Sequence, residues 1–272
     1  MIHLRRLTRK AIPHAAAERF PFSVPVVRAL DEIAFDAPVT FFVGENGSGK
    51  STLLEAIAAA SGLPAVGSAS VEQDATLGAQ RELARALRLE WAARTHRGFF
   101  LRAEDFFGFA KQLSATRAEM RRRLEEVGEE YDRLGRSAYA RRLAEGPARA
   151  SLADMERRYG VDLDANSHGQ AFLRLFQSRF VPGGLYLLDE PEAALSPQSQ
   201  LALLAMLAEM VAHDAQFVVA THSPIILGYP GARIYTFDAA PPKRVDFEEL
   251  EHVTLTRDFL NDPGRFLRHL IT

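Results

Sequence analysis

The chain contains no cysteine. Disulfides, thiol nucleophiles and cysteine-held metals are therefore excluded, and the composition suits a reducing compartment. A long apolar run is missing as well. The longest, "LALLAMLAEMVA" from Leu201, is too short to span a bilayer and carries Glu209. Neither sign of charge dominates: 33 basic against 35 acidic residues leave a net of −2, so no global field selects nucleic acid or an anionic membrane. The basic start, "MIHLRRLTRKAIPHAAAERF", lacks the apolar segment of a signal peptide. Internal repeats and low-complexity tracts are absent. The expectation is a soluble cytoplasmic protein, and 272 residues suffice for one large domain or two small ones.

Four short apolar runs bounded by glycine, proline or polar residues read as buried strands: "VTFFV" (39–43), "LYLLD" (185–189), "QFVVAT" (216–221) and "RIYTF" (233–237). Runs apolar on both faces fit a parallel sheet covered by helices. Helical patterns follow the first two. "KSTLLEAIAAA" leaves a glycine-rich turn, and "SPQSQLALLAMLAEMVAHDA" opens with Ser196 as N-cap and Pro197 at the first helical position. This alternation predicts an α/β fold with a mostly parallel sheet. The stretch from about 76 to 164 differs, being rich in Arg, Glu, Ala and Leu. It reads as an inserted helical subdomain broken by Gly128, Gly135 and "EGP" at 145–147, with a core lobe from about 1–75 and 165–272. Within it, "RRR" at 121–123 is nearly neutralised by Glu125, Glu126, Glu129 and Glu130 at helical spacing, which favours a solvated face over a nucleic-acid surface.

Three stretches carry chemistry. Gly44-Glu45-Asn46-Gly47-Ser48-Gly49-Lys50-Ser51-Thr52 fits the phosphate-loop pattern, with a strand before it and a helix after it. Its glycines let backbone N–H groups converge on phosphate oxygens, and the following helix points its positive end at the same anion. Lys50 can reach the β- and γ-phosphates, and Ser51 can ligate Mg²⁺. In "LYLLDEPE" the strand would end at Asp189, a candidate Mg²⁺ ligand, with Glu190 free to polarise an attacking water. Read alone, those adjacent acids would serve equally to start a helix. In "ATHSP", His222 follows another strand and can hydrogen-bond a γ-phosphate, although a lone histidine is more often structural.

In this order, "GENGSGKST", "LLDEPEAALS" and "THSP" resemble the ABC-type ATPases. In wording the chain looks most like the small stand-alone bacterial predicted ATPases of the AAA/ABC-like group of P-loop NTPases. The resemblance implies a signature loop, and "NSHGQAF" at 166–172 supplies it through Ser167, Gly169 and Gln170, with His168 replacing the first of two paired glycines. It further implies that this loop contacts nucleotide held by a second copy, hence an ATP-dependent head-to-tail homodimer. Glu104, in "GFFLRAED", falls where the family has a metal-sensing glutamine, and Ser196 falls where it has an aspartate. Phe20 and Phe22 are candidates for stacking adenine, with core packing as the alternative.

These readings lead to an ATPase with ATP and Mg²⁺ as cofactors and Glu190, His222 and Lys50 as catalytic residues. Its action would be that of a dimerisation switch for a DNA or protein partner. A regulatory ATP-binding partner of a nuclease or toxin, and the energising subunit of a transporter, are the alternatives. The segment "GRFLRHLI" after "NDP" predicts a short amphipathic helix docked on the body.

Overall fold

A computed structural model describes residues 1–12, 16–66, 78–159, 168–268 and 271. The strands are β1 (Leu4–Arg9), β2 (Glu32–Ala34), β3 (Val39–Val43), β4 (Leu87–Trp91), β5 (Gly98–Arg102), β6 (Leu185–Asp189), β7 (Gln216–Ala220), β8 (Arg233–Thr236) and β9 (Lys243–Val245). The helices are α1 (Pro25–Arg28), α2 (Lys50–Ser61), α3 (Gly78–Ala86), α4 (Ala103–Arg133), α5 (Ala138–Tyr159), α6 (His168–Arg179), α7 (Pro197–Ala212), α8 (Pro224–Leu227), α9 (Glu251–Asn261) and α10 (Pro263–Leu267). The chain divides into two compact units, Met1–Ala103 with Val181–Thr272, and Glu104–Phe180.

The first unit is built on a six-stranded sheet of order β5-β6-β7-β3-β8-β9. Every pairing in it is parallel except β8 with β9. All five residues of β3, of β6 and of β7 are buried, as a parallel sheet covered by helices requires. A three-stranded antiparallel sheet, β2-β1-β4, joins the same apolar cluster. Leu4, Leu7 and Ile33 reach it from that sheet, Leu53, Leu54 and Ile57 from α2, and Phe100, Leu187 and Val218 from the parallel strands. α2 is consequently buried nearly all round, which accounts for its run of alanine and leucine. The Gln216 side chain stitches the two sheets together. Its Oε1 accepts from the amides of His3 and Leu4 at 2.8 Å each, and its Nε2 donates to the Leu4 carbonyl at 2.9 Å.

The second unit contains the two long helices α4 and α5, with α6 after them. Its apolar seam includes an edge-to-face series, Phe106–Phe172 and Phe172–Phe176, with centroids 4.6 Å apart in each pair. Two expectations need correction. The stretch from about residue 76 is not wholly helical, since β4 and β5 lie within it and belong to the first unit. Nor do Gly128 and "EGP" break the helices: α4 runs through Gly128 and α5 through Gly146 and Pro147, while the break falls around Gly135 at φ 59°. Glu145, two residues before Pro147, is buried. Arg141 and Arg149, one turn away on either side, bond it at 2.8 Å each and support the helix with charge-assisted pairs. Of the arginine cluster, Arg122 pairs with Glu126 one turn on, and Arg121 with Glu156.

Candidate functional site

Residues 44–49 turn the chain from the end of β3 into α2. Gly49 occupies the N-cap at φ 101°, and a Cβ there would meet Val24 Cγ1 at 2.8 Å, so the position admits glycine and little else. No side chain caps the helix, which leaves its first N–H groups turned toward the loop, as an anion site requires. The Lys50 ammonium is buried and donates to the Gly44 carbonyl at 2.6 Å and the Glu45 carbonyl at 2.9 Å. Burial lowers its pKa, and the charges of Glu190, Asp189, Asp238 and Glu192 act against that shift.

Asp189 closes β6, and its Oδ1 accepts from the Ser51 hydroxyl at 3.1 Å. Burial pushes its carboxyl up to about 7; the Ser51 bond and Arg102 oppose this, while Glu55 and Glu190 add to it. A hydroxyl and a carboxylate meeting beside a phosphate loop suit Mg²⁺, which takes one or two protein ligands and completes its shell with water and phosphate oxygens. Among the described residues no group of three or more His, Cys, Asp or Glu side chains is placed to hold a metal ion.

Glu190 follows with φ 49° and ψ 50°, a left-handed conformation uncommon for a residue with a side chain. Its amide donates to the Ala220 carbonyl at 2.9 Å, which fixes the turn against the end of β7. Two residues beyond β7 comes His222, whose Nε2 lies 3.7 Å from Glu190 Oε1. That nitrogen is sealed from solvent and has no hydrogen-bond partner, and the same holds for Ser48 Oγ in the loop. Burial and the charge of Lys50 lower the pKa of His222. The strand carrying Asp189 is not next to the loop strand, because β7 lies between them; the histidine therefore sits between loop and acid in strand order.

Lys50, Ser51, Asp189, Glu190 and His222 thus share one end of the parallel sheet. Thr52 lies half-buried in the first turn of α2. Glu104, in the first turn of α4, and Gly169 and Gln170, in the first turn of α6, belong to the second unit, and Ser167 lies outside the described residues. Of the two phenylalanines considered for stacking adenine, Phe22 is core at 3% exposure, while Phe20 is exposed.

Sequence reasoning missed four groups at this site. Glu192 Oε1 accepts from the His222 amide at 2.6 Å, and Asp238 Oδ1 accepts from the Glu45 amide at 2.7 Å. Arg102 and Glu55, both nearly buried, pair at 2.7 Å and act on Asp189. Glu192 belongs to the quoted "DEPE" and so carried a signal. Glu55 lies one turn after Ser51 on α2, and Arg102 and Asp238 gain their place through sheet order, which no local pattern displays.

Residues 25–81 match a family model described as "AAA domain", and residues 122–228 match one described as "AAA domain, putative AbiEii toxin, Type IV TA system". The phosphate loop and the mostly parallel sheet flanked by helices give the chain a P-loop NTPase fold, and both matched segments are similar to AAA domains. No curated protein matches the chain. Among solved structures, the Smc head domain bound to the C-terminal domain of ScpA, derived from Pyrococcus furiosus, is similar at 11% identity and a TM-score of 0.47, over 96% of this chain and 100% of that one. An ATP-binding cassette of an ABC transporter in its ADP conformation gives 17% identity and 0.47, with both chains covered completely. The protein cbiO1 from Clostridium perfringens, part of the ABC transporter complex cbiONQ, gives 14% and 0.44, over 100% of this chain and 99% of that one. Among the described residues no helix is long and apolar enough to cross a membrane.

Proposed function

We propose that the chain binds ATP at residues 44–52, hydrolyses it, and uses the difference between the ATP and ADP states to make and release a head-to-tail homodimer. One observation carries this reading: Lys50, the Ser51–Asp189 pair, Glu190 and His222 gather at one end of the parallel sheet, beside uncapped helix amides. Lys50 would compensate charge on the β- and γ-phosphates. Ser51 and Asp189 would hold Mg²⁺, which when bound neutralises charge on the phosphate oxygens. Glu190 would orient and deprotonate water for in-line attack, and His222 would donate its ring N–H to the γ-phosphate. Gly169 and Gln170, with Ser167, would cover the nucleotide held by the second copy. Loss of the γ-phosphate would then release that contact.

Sizing of Glu190→Gln with and without MgATP tests the switch. The expected result is a dimer with MgATP and a monomer without it; a monomer in both conditions overturns the reading. Lys50→Ala should abolish binding of MgATP by calorimetry. A second reading, an ATP-binding regulator of a toxin with little turnover, is favoured by the description of the model that matches residues 122–228. Steady-state phosphate release separates the two: turnover by the parent chain that disappears in Glu190→Gln supports the enzyme.

A further inference from the structure

We propose that His252, on α9, is a second imidazole for the terminal phosphate of the nucleotide, facing the site from a different element than His222; the inference rests on the nucleotide reading above. The two histidines line one cleft of about 450 Å³ together with Gly44 and Glu45, the first residues of the phosphate loop. Like His222, His252 keeps its Nε2 sealed from solvent with no hydrogen-bond partner. A buried polar atom without a partner is costly, and folded proteins rarely leave one unless a ligand or water completes it. Ser48 Oγ in the loop and the Nε2 atoms of His222 and His252 in the cleft beside it all lack partners, and a hydroxyl or an imidazole in its Nε2–H tautomer donates to phosphate oxygens.

The segment that brings His252 there is firmly set. Asp246 and Glu249 form a reciprocal capping box around the turn Phe247–Glu249, immediately before α9. Val253, the next residue, is 3% exposed and fixes the rotation of the helix. Carboxylates also line the cleft: Glu45, Asp238, Glu249 and Glu251. Asp238 is held by the Glu45 amide and the Thr236 hydroxyl, and Glu249 by the Asp246 amide. Such a rim disfavours a bare anion and fits a phosphate that arrives with its own cation. His252 thereby gives the C-terminal segment a part in telling the triphosphate from the diphosphate.

The experiment is calorimetric titration of the full chain with MgADP and with the Mg²⁺ complex of a non-hydrolysable ATP analogue. For His252→Ala, affinity for the triphosphate should fall about tenfold, the loss of one hydrogen bond to a charged group, with MgADP unchanged. His252→Gln, which keeps a side-chain N–H donor, should recover part of the loss, and it takes the place of the alanine variant if that one fails to fold. Unchanged affinity for both nucleotides, or an equal loss for both, overturns the proposal for His252 and leaves the nucleotide site standing. Failure of the parent chain to bind either nucleotide overturns both.

Discussion

Glu190 occupies a backbone region that costs on the order of 1–3 kcal/mol for a residue with a side chain. Function and stability should therefore separate at this position. Glu190→Gly should lose ATP hydrolysis by about 10²–10⁴-fold, the scale of general-base catalysis. Its thermal midpoint should nevertheless be no lower than that of the parent chain, because glycine adopts the conformation freely. A midpoint several degrees lower would mean that the side chain itself stabilises the turn. Asp189 provides a second prediction at this scale. Its proton leaves at about 7 in the folded chain, against an ordinary value of 3.8. Between those values the folded state holds more protons than the unfolded one, so its contribution to stability falls as pH rises. Without added divalent cation, the stability of the parent relative to Asp189→Asn should decrease from pH 5 to pH 8, read by thermal melts at both pH values. His222 and His252, whose pKa values are lowered by burial, act in the opposite sense and cancel in that difference.

At the scale of elements, strands β5 and β6 approach so closely at Gly98 that a Cβ would lie 1.8 Å from the Leu185 carbonyl oxygen, and the residue's φ of 122° belongs to glycine. Gly98→Ala should cost about 3 kcal/mol or more, seen as a lower denaturation midpoint, by forcing apart the strands that end at Arg102 and Asp189. Breaking the buried pair nearby by Arg102→Met should cost a similar amount, about 3–5 kcal/mol, since the Glu55 carboxylate loses the guanidinium 2.7 Å away. The legibility of these elements followed burial. β3, β6 and β7 are buried on both faces and stand out as apolar runs, and α7 announces itself through Ser196, whose side chain accepts from the Ser199 amide at 3.2 Å. β1 buries only Leu4 and Leu7 among arginines, so its sequence looks like a basic tail. β4, "LRLEW", is hidden in the same way by its charged neighbours. α5 continues through a proline with Arg141 and Arg149 paired to Glu145 one turn away on either side, i,i+4 contacts that glycine and proline counting leaves out. At the site, the motif residues were legible because their spacing is local. Asp238 and Arg102, the partner of Glu55, were not, because distant strands bring them in.

For the whole molecule, binding that favours the folded state must raise its stability. At a nucleotide concentration 100 times the Kd the gain is about 2.7 kcal/mol. MgATP should accordingly raise the thermal midpoint of the parent chain by several degrees and leave that of Lys50→Ala unchanged, as read by scanning calorimetry. The same measurement on Ser51→Ala should show a smaller shift that no longer depends on Mg²⁺. The glutamine that stitches the sheets has a consequence at this scale. Gln216 has no solvent exposure, and three polar groups of His3 and Leu4 rely on it. Peeling away the first strand would strand an amide in the interior, at the foot of the very strand whose far end presents His222. Damage inflicted at one margin of the molecule would thus reach the near end of a five-residue rod about 17 Å long, whose opposite end leads into the proposed nucleotide site.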